Sequence, residues 1–177
     1  QNKLPCKIIN IDLNPSNNEL FDEEIIGDLT SKLFWEEIIN TLKVNSISSI
    51  IWSVRSRHKE EKSLDLVKKT LEIELFPLIE IIERLEHLII NSNTKIVIIS
   101  SIAAQFVSNQ HFAYNISKGA IESYVRNIAV KLGKNSNARI NIIRAGIVYI
   151  KERSNYLIKD KESLEKASVP RLSIVTA

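Results

Sequence analysis

The sequence contains no methionine, one cysteine and only four glycines among its 177 residues. The single cysteine, Cys6, excludes an intrachain disulfide and favours a reducing, cytoplasmic location. No apolar run is long enough to span a bilayer, and the N-terminal residues Gln-Asn-Lys do not resemble a signal peptide. We therefore expect neither membrane insertion nor export. The absent methionine and the scarce glycine lead us to expect part of a longer protein.

The sequence also lacks a large excess of either charge. The net charge is only +3, and the basic residues are spread along the chain. This pattern gives no reason to expect nucleic acid as a partner. The three histidines, His58, His87 and His111, lack the spacing of metal ligands, so no metal site is predicted.

Apolar, β-branched runs alternate with segments of helical periodicity. This alternation predicts an α/β fold with a doubly wound parallel sheet, in a single domain over residues 1–177. The predicted strands are Lys7–Asp12, Glu24–Leu29, Ile47–Trp52 (buried on both faces), Lys95–Ile99 and Arg139–Ile143. The predicted helices are Lys32–Leu42, Ser63–Ile90 with a kink at Pro77, and Ala113–Leu132 closed by Gly133.

Three polar residues around the fourth strand and the last helix form a candidate catalytic set. Ser101 follows the strand, and Tyr114 and Lys118 are four residues apart, so they share one helix face. An isolated phenol is a poor acid–base group at neutral pH, but a neighbouring ammonium favours its phenolate form. The phenol can then exchange a proton with a substrate hydroxyl or carbonyl, to which the serine can hydrogen-bond.

This arrangement resembles the short-chain dehydrogenase/reductase family, in its compact one-domain form. The family carries a serine after one strand and Tyr-x-x-x-Lys on the next helix, as Ser101, Tyr114 and Lys118 do here. The similarity extends from Lys7 to about Ile150. It implies a Rossmann-like fold and an NAD(P)-dependent oxidoreductase that interconverts an alcohol and a ketone, with Tyr114 as the acid/base. The spacing of 13 positions from Ser101 to Tyr114 speaks against the sugar-nucleotide epimerase relatives.

The resemblance also implies a set of cofactor-binding residues. Asp12 matches the acidic residue that ends the second strand of the family and favours NAD, whereas NADP is less expected. Asp12 as a simple turn former, and Asp28 as a helix cap, remain open alternatives. The complete implied set is Asp12, Asp28, Leu29, Lys118, Gly146 and Val148.

The chain departs from the family pattern at several places. The opening strand with its glycine loop is absent, as are the last helix and strand, so we expect a fold truncated at both ends. Trp52 to Arg55 replace a family segment of small residues and would crowd the adenosine side of the cleft, and Glu74 replaces an Asn and is expected to pair with Lys118. Ala145 replaces a Pro, and Ile150 stands where a Thr is common. These departures support a second hypothesis, a catalytically impaired binding or regulatory protein.

The resemblance finally implies association between subunits. The family's long helix and its Tyr-bearing helix pack against their copies in a partner subunit. We therefore expect a homodimer or homotetramer, formed through residues near 64–88 and 121–128, that acts on a small-molecule alcohol or ketone.

Overall fold

The computed structural model describes residues 7–16, 19–42, 46–56, 63–105, 112–146 and 173–176; residues 173–176 and Asn135 are described as backbone only. Val148 and Ile150, two of the positions singled out in the sequence, lie outside this range.

The strands form two groups in the described part of the chain. The first group is a parallel pair, and the second is a four-stranded sheet in which three strands are parallel and the fourth is antiparallel. The prediction of a parallel α/β fold is therefore confirmed. It is corrected for the last strand, Ser173–Thr176, which pairs antiparallel with its neighbour. This pairing is a long-range contact that no local pattern specifies. The strands, in chain order, are β1 (Ile9–Asp12), β2 (Glu23–Ile26), β3 (Ser49–Trp52), β4 (Lys95–Ser101), β5 (Arg139–Ala145) and β6 (Ser173–Thr176).

The helices of the described residues are α1 (Lys32–Leu42), α2 (Leu64–Glu74), α3 (Phe76–Arg84), α4 (Glu86–Asn91) and α5 (Phe112–Asn135). Helix α1 has the predicted bounds, and it buries Phe34, Trp35, Ile38 and Ile39 along one face. The expected long helix after residue 63 is three helices, because the chain breaks at Leu75 and again at Leu85.

Pro77 explains the first of these breaks. It occupies the first turn of α3, where its missing N–H group costs nothing. A continuous helix would require that N–H to bond to the carbonyl of Ile73. The predicted kink is thus present two residues before the proline, whereas the break at Leu85 has no sequence signal that we recognise.

Helix α5 continues past the glycine that was expected to end it. Gly133 lies inside α5, two residues before its end, and it does not have a positive φ angle. The prediction that Gly133 closes this helix is therefore wrong, because a capping glycine adopts the left-handed conformation.

One hydrophobic core joins both groups of strands. It contains Ile25 of β2, the inward faces of α1, α3 and α5, and the alternating residues of β4 and β5. Strand β3 contributes Trp52, but Ile51 on its opposite face is 72% exposed. The prediction that this strand is buried on both faces is therefore wrong, since little of the described chain covers Ile51.

The polar residues of interest lie where the parallel strands end. Ser101 at the end of β4 stands beside Ala145 at the end of β5 in the strand register. Gly146 follows directly, and the chain leaving β3 passes through Val54, Arg55 and Ser56. In open parallel sheets, ligands bind at this carboxyl edge.

Candidate active site

Ser101 and the first half of α5 meet at the carboxyl edge of β4. The Ser101 hydroxyl oxygen accepts a hydrogen bond from the Ala103 backbone N–H (3.2 Å) and thereby caps a short 3₁₀ turn, Ile102–Ala104. Helix α5 packs against this turn, and a Cβ atom on Gly119 would lie 3.8 Å from the Ala104 carbonyl oxygen. The bond to Ala103 uses only an acceptor site of Ser101, so its hydroxyl proton remains free for another partner.

Tyr114 and Lys118 lie together on α5, as their spacing predicts. The Lys118 ammonium nitrogen is 5.4 Å from the centroid of the Tyr114 ring. A second cation is the guanidinium group of Arg55, whose central carbon is 5.1 Å from the same centroid. The phenol ring of Tyr114 therefore has two positive side chains beside it, one from its own helix and one from the chain that leaves β3.

Glu74 pairs with Lys118 inside the protein, which confirms the interaction expected from the sequence. Their nitrogen–oxygen distance is 2.9 Å, and the side chains are 3% (Lys118) and 0% (Glu74) exposed. Lys118 also donates a hydrogen bond of 3.1 Å to the Val54 carbonyl. Such burial of an ion pair is stable only when hydrogen bonds satisfy the remaining polar atoms.

Two serines provide those hydrogen bonds to Glu74. Its Oε1 atom accepts from the backbone N–H and the hydroxyl of Ser56, at 2.8 and 2.7 Å, and its Oε2 atom accepts from the Ser117 hydroxyl at 3.0 Å. With Lys118, the Glu74 carboxylate thus has four donors and links the chain after β3, the end of α2 and helix α5. Ser56 and Ser117 were not identified from the sequence, because these contacts span 18 and 43 residues.

A second buried pair lies at the ends of β4 and β5. Arg144 donates two hydrogen bonds to the carboxylate of Glu122, at 2.8 and 2.7 Å, and Ser100 donates a third at 2.9 Å. The bond to Glu122 raises the pKa of the Arg144 guanidinium above its ordinary value. This group was also missed, although a signal existed: Glu122 lies four residues after Lys118 and falls on the same inward face of α5.

The expected cofactor-binding carboxylates both stand in turns and are exposed. One oxygen of Asp12, at the end of β1, accepts from the Asn14 N–H (3.1 Å). One oxygen of Asp28 accepts from the N–H and hydroxyl of Thr30, both at 2.8 Å, in the turn before α1. The turn-forming alternative is therefore present for Asp12, whereas Asp28 bonds to Thr30 in a turn and does not cap α1, which begins at Lys32. Each carboxylate keeps a second oxygen without a hydrogen bond from the described residues.

The other implied cofactor residues are only partly described. The Leu29 carbonyl accepts a hydrogen bond from the Trp35 indole (2.8 Å), and the Leu29 side chain packs against the core. Gly146 is half-buried immediately after β5. Val148 lies beyond the described residues.

Trp52 does not crowd the cleft as expected. Its side chain is 5% exposed and belongs to the hydrophobic core, so that expectation is wrong for this residue. The alternation of side chains along a strand sends Ile50 and Trp52 to one face and Ile51 to the other. Its indole nitrogen is buried without a hydrogen-bond partner among the described residues. Arg55, in contrast, does reach the site.

The described residues contain no cluster of three or more potential metal ligands. Among the described helices, none combines the length and apolar character needed to cross a membrane.

Comparisons with known proteins agree with this geometry. A family profile described as enoyl-(acyl carrier protein) reductase matches residues 38–173, well over half of the chain. A short-chain dehydrogenase family protein from Francisella tularensis is 24% identical, with a TM-score of 0.73, over 91% of this chain and 70% of its own. The enoyl-[acyl-carrier-protein] reductase (NADH) from Aquifex aeolicus is 27% identical, with a TM-score of 0.66, over 73% of this chain and 54% of its own.

A third structure, the 3-oxoacyl (acyl-carrier-protein) reductase from Agrobacterium tumefaciens with NADP bound, is 14% identical with a TM-score of 0.76. It is matched over 90% of this chain and 67% of its own. The chain thus spans between 54% and 70% of the length of these solved structures. The profile match and the shared architecture place the chain in the short-chain dehydrogenase/reductase family of oxidoreductases, with a Rossmann-like α/β fold.

Proposed function

We propose that the protein is an NAD(P)-dependent oxidoreductase that interconverts an alcohol and a ketone, with Tyr114 as the acid/base. The observation that carries this proposal is the position of the Lys118 ammonium, 5.4 Å from the Tyr114 ring, on a helix packed against the turn that Ser101 caps. A proton-transfer group, a cation and a hydroxyl donor then stand at one edge of a parallel sheet, where ligands of such folds bind.

Each of these residues has a distinct role in the proposed reaction. The Tyr114 phenol gives its proton to the carbonyl oxygen during reduction, and it takes the proton from the hydroxyl during oxidation. The free hydroxyl proton of Ser101 is donated to the same substrate oxygen. The positive charge of Lys118 favours the phenolate, which is the form that accepts a proton. A bound nicotinamide supplies or receives the hydride, and the protein positions it.

The carboxylates fit the adenosine half of such a nucleotide. Asp12 is exposed at the carboxyl end of β1, and one of its oxygens has no hydrogen bond from the described residues and can accept from ribose hydroxyls. The same charge repels the 2′-phosphate of NADP, and no Lys or Arg occurs between Leu13 and Asp22 to compensate. We therefore propose NAD as the preferred cofactor, with Asp28, Leu29, Gly146 and Val148 also in its binding site.

Parallel titrations of NADH and NADPH test this preference. Wild-type protein should bind NADH more tightly, and Asp12→Ala should narrow the difference between the two nucleotides. Glu37→Ala is the control, because it removes another exposed carboxylate, on α1, that is not among the proposed cofactor residues. Tighter binding of NADPH by the wild-type protein would show that Asp12 acts only in its turn with Asn14.

Turnover tests the reaction itself. Oxidation of NADH is followed with a panel of ketones and, separately, with enoyl thioesters, because the matching family profile is described as an enoyl reductase. Turnover of ketones supports the proposal. Turnover of enoyl thioesters alone would keep the redox chemistry but overturn the alcohol/ketone assignment.

One observation favours the second candidate, a catalytically impaired binding or regulatory protein. Lys118 is buried, and among the described residues its ammonium group binds Glu74 and Val54. The resemblance assigns this ammonium to the nicotinamide ribose, which must compete with Glu74 for it. The variant Glu74→Asn, which places the family's residue there, separates the two candidates: an impaired protein gains dinucleotide affinity, and a competent enzyme does not.

A further inference from the structure

Arg55 is the unexpected cation at the site. It is exposed, and its guanidinium group lies over the Tyr114 ring, with 5.1 Å between the guanidinium carbon and the ring centroid. An aromatic face attracts such a cation electrostatically. No carboxylate of the described residues forms an ion pair with Arg55.

The carboxylates around Tyr114 cannot neutralise Arg55 without losing other partners. Glu74 already binds Lys118, Ser56 and Ser117. Because Glu74 offsets the charge of Lys118, the positive charge beside Tyr114 that no described carboxylate balances is that of Arg55.

Glu122 is equally committed, on the other side of α5. It accepts two hydrogen bonds from Arg144 and one from Ser100, and it is almost fully buried. Glu74 and Glu122 are thus each matched by a basic side chain. Among the described residues, the exposed guanidinium of Arg55 therefore remains without a carboxylate partner at the carboxyl edge of the sheet.

We propose that Arg55 is an anion-binding residue of this site, which takes an oxyanion presented beside Tyr114. A guanidinium offers two parallel donors to a carboxylate or a phosphate, which suits planar oxyanions better than a single ammonium does. The anion is either a phosphate of the dinucleotide or a carboxylate on the substrate. This inference rests on the proposed function for placing the reacting centre at Tyr114.

Binding of two simple anions tests the proposal without any turnover. Inorganic pyrophosphate represents the nucleotide phosphates, and succinate represents a substrate carboxylate; both are titrated calorimetrically at low ionic strength. The variants are Arg55→Ala, Arg55→Lys and, as a matched control, Arg126→Ala, which removes another exposed arginine from the middle of α5.

We expect Arg55→Ala to weaken the binding of at least one of the two anions by about 10- to 100-fold, which is the size of a lost charge-assisted contact. Arg55→Lys retains part of the affinity, and Arg126→Ala has no effect. A loss confined to pyrophosphate, accompanied by weaker NADH binding, identifies the nucleotide as the source of the anion. A loss confined to succinate, with unchanged NADH binding, identifies the substrate, and a loss of both shows that one guanidinium serves either anion.

Two further variants examine the role of the ring. Tyr114→Phe keeps the aromatic face and should leave anion affinity unchanged, whereas Tyr114→Ala should reduce it, because Arg55 loses its support. Equal effects of Arg55→Ala and Arg126→Ala, or no effect of either, would overturn the proposal. Since these are equilibrium measurements, a protein without turnover would refute the proposed function and still give an answer on Arg55.

Discussion

At the scale of single residues, the buried contact between Glu74 and Lys118 is the feature that distinguishes this site. Both charges are removed from water, and the pair together with its hydrogen-bond partners joins three segments of the chain. A buried pair of this kind contributes little net stability compared with apolar residues, but breaking it leaves one uncompensated charge in the interior. The pair therefore fixes the position of Lys118 more than it stabilises the fold.

The first prediction concerns this asymmetry. Glu74→Ala should lower the free energy of unfolding by roughly 3–5 kcal/mol, because Lys118 is left buried without its partner. The control is Glu86→Ala, which removes the partly exposed partner of Lys131 (2.7 Å) and should cost about 1 kcal/mol or less. Urea unfolding measures both. Equal, small losses would show that the interior accommodates Lys118 without Glu74.

A second prediction uses the pH dependence of Tyr124. Burial, assisted by the nearby charges of Glu83 and Glu86, raises the pKa of the Tyr124 phenol to about 12. The folded state therefore holds this proton more tightly than the unfolded state does. Its contribution to stability is complete below about pH 10 and is lost as the pH rises towards 12.

Unfolding free energies measured across this alkaline window test the prediction. The wild-type protein should lose more stability between about pH 10 and 12 than Tyr124→Phe does, because the variant has no phenol to ionise there. If both proteins lose stability in parallel, Tyr124 is not responsible for the alkaline transition.

At the scale of elements, helix α5 carries the site and extends beyond its predicted end. Its glycine at position 133 lies in ordinary helical backbone with open space where a Cβ atom would stand. The third prediction is that Gly133→Ala raises the free energy of unfolding by about 0.5–1 kcal/mol, because alanine loses less conformational freedom in a helix.

Gly27→Ala provides the contrast for this experiment. A Cβ atom at Gly27 would lie within 3 Å of three atoms of the Phe34 ring, so this substitution should be destabilising. Thermal unfolding distinguishes the two changes by sign. A destabilising Gly133→Ala would imply that Gly133 has a capping role after all.

The elements that sequence reasoning predicted are those whose signals are local. Helix α1 follows from its apolar spacing and from the turn residues before it, and Pro77 marks the break near Leu75. Strand β6 and the exposed face of β3 were not predicted, because both depend on which neighbours lie across the sheet. Periodicity describes one segment, and pairing between distant segments does not leave a comparable mark.

The same distinction applies to the site. The pairing of Tyr114 with Lys118 follows from helical spacing, and that of Glu74 with Lys118 follows from the family pattern. A local signal also existed, because Glu74 is three residues after Leu71 and four before Leu78, and it therefore falls within the apolar stripe of the sequence. Arg55 over Tyr114 was not predicted in this geometry, since a loop residue 59 positions earlier in the chain has no spacing rule.

At the scale of the whole molecule, apolar side chains remain exposed on α2, α3 and α5. They are Leu64, Phe76, Phe112, Ile116 and Val130. Ile121 and Val125, which lie in the interface range expected from the sequence, are instead buried in the core, so the candidate contact residues of α5 shift to its other side. Exposed apolar surface on neighbouring helices favours association.

The fourth prediction is therefore a homodimer, or a tetramer built from such dimers, through α2 and α5. Light scattering of the wild-type protein should give a mass of at least two chains, and the double variant Ile116→Lys/Val130→Lys should give a smaller mass. Leu33→Lys is the control, since Leu33 is 83% exposed and belongs to α1, which is not one of the two helices of the proposed interface. A wild-type monomer at micromolar concentration would contradict the prediction.

The transfer of deuterium from a labelled nucleotide tests the central claim, that Tyr114 and Lys118 form the acid/base centre of a nucleotide-dependent oxidoreductase. The complete protein is incubated with NADH deuterated at C4 of the nicotinamide and with a panel of ketones, and the alcohol products are analysed by mass spectrometry. The account predicts deuterium on the carbinol carbon with wild-type protein and a rate about 10²- to 10⁴-fold lower with Tyr114→Phe. Undiminished transfer in that variant, or no transfer by the wild type with NADH or NADPH, would contradict it.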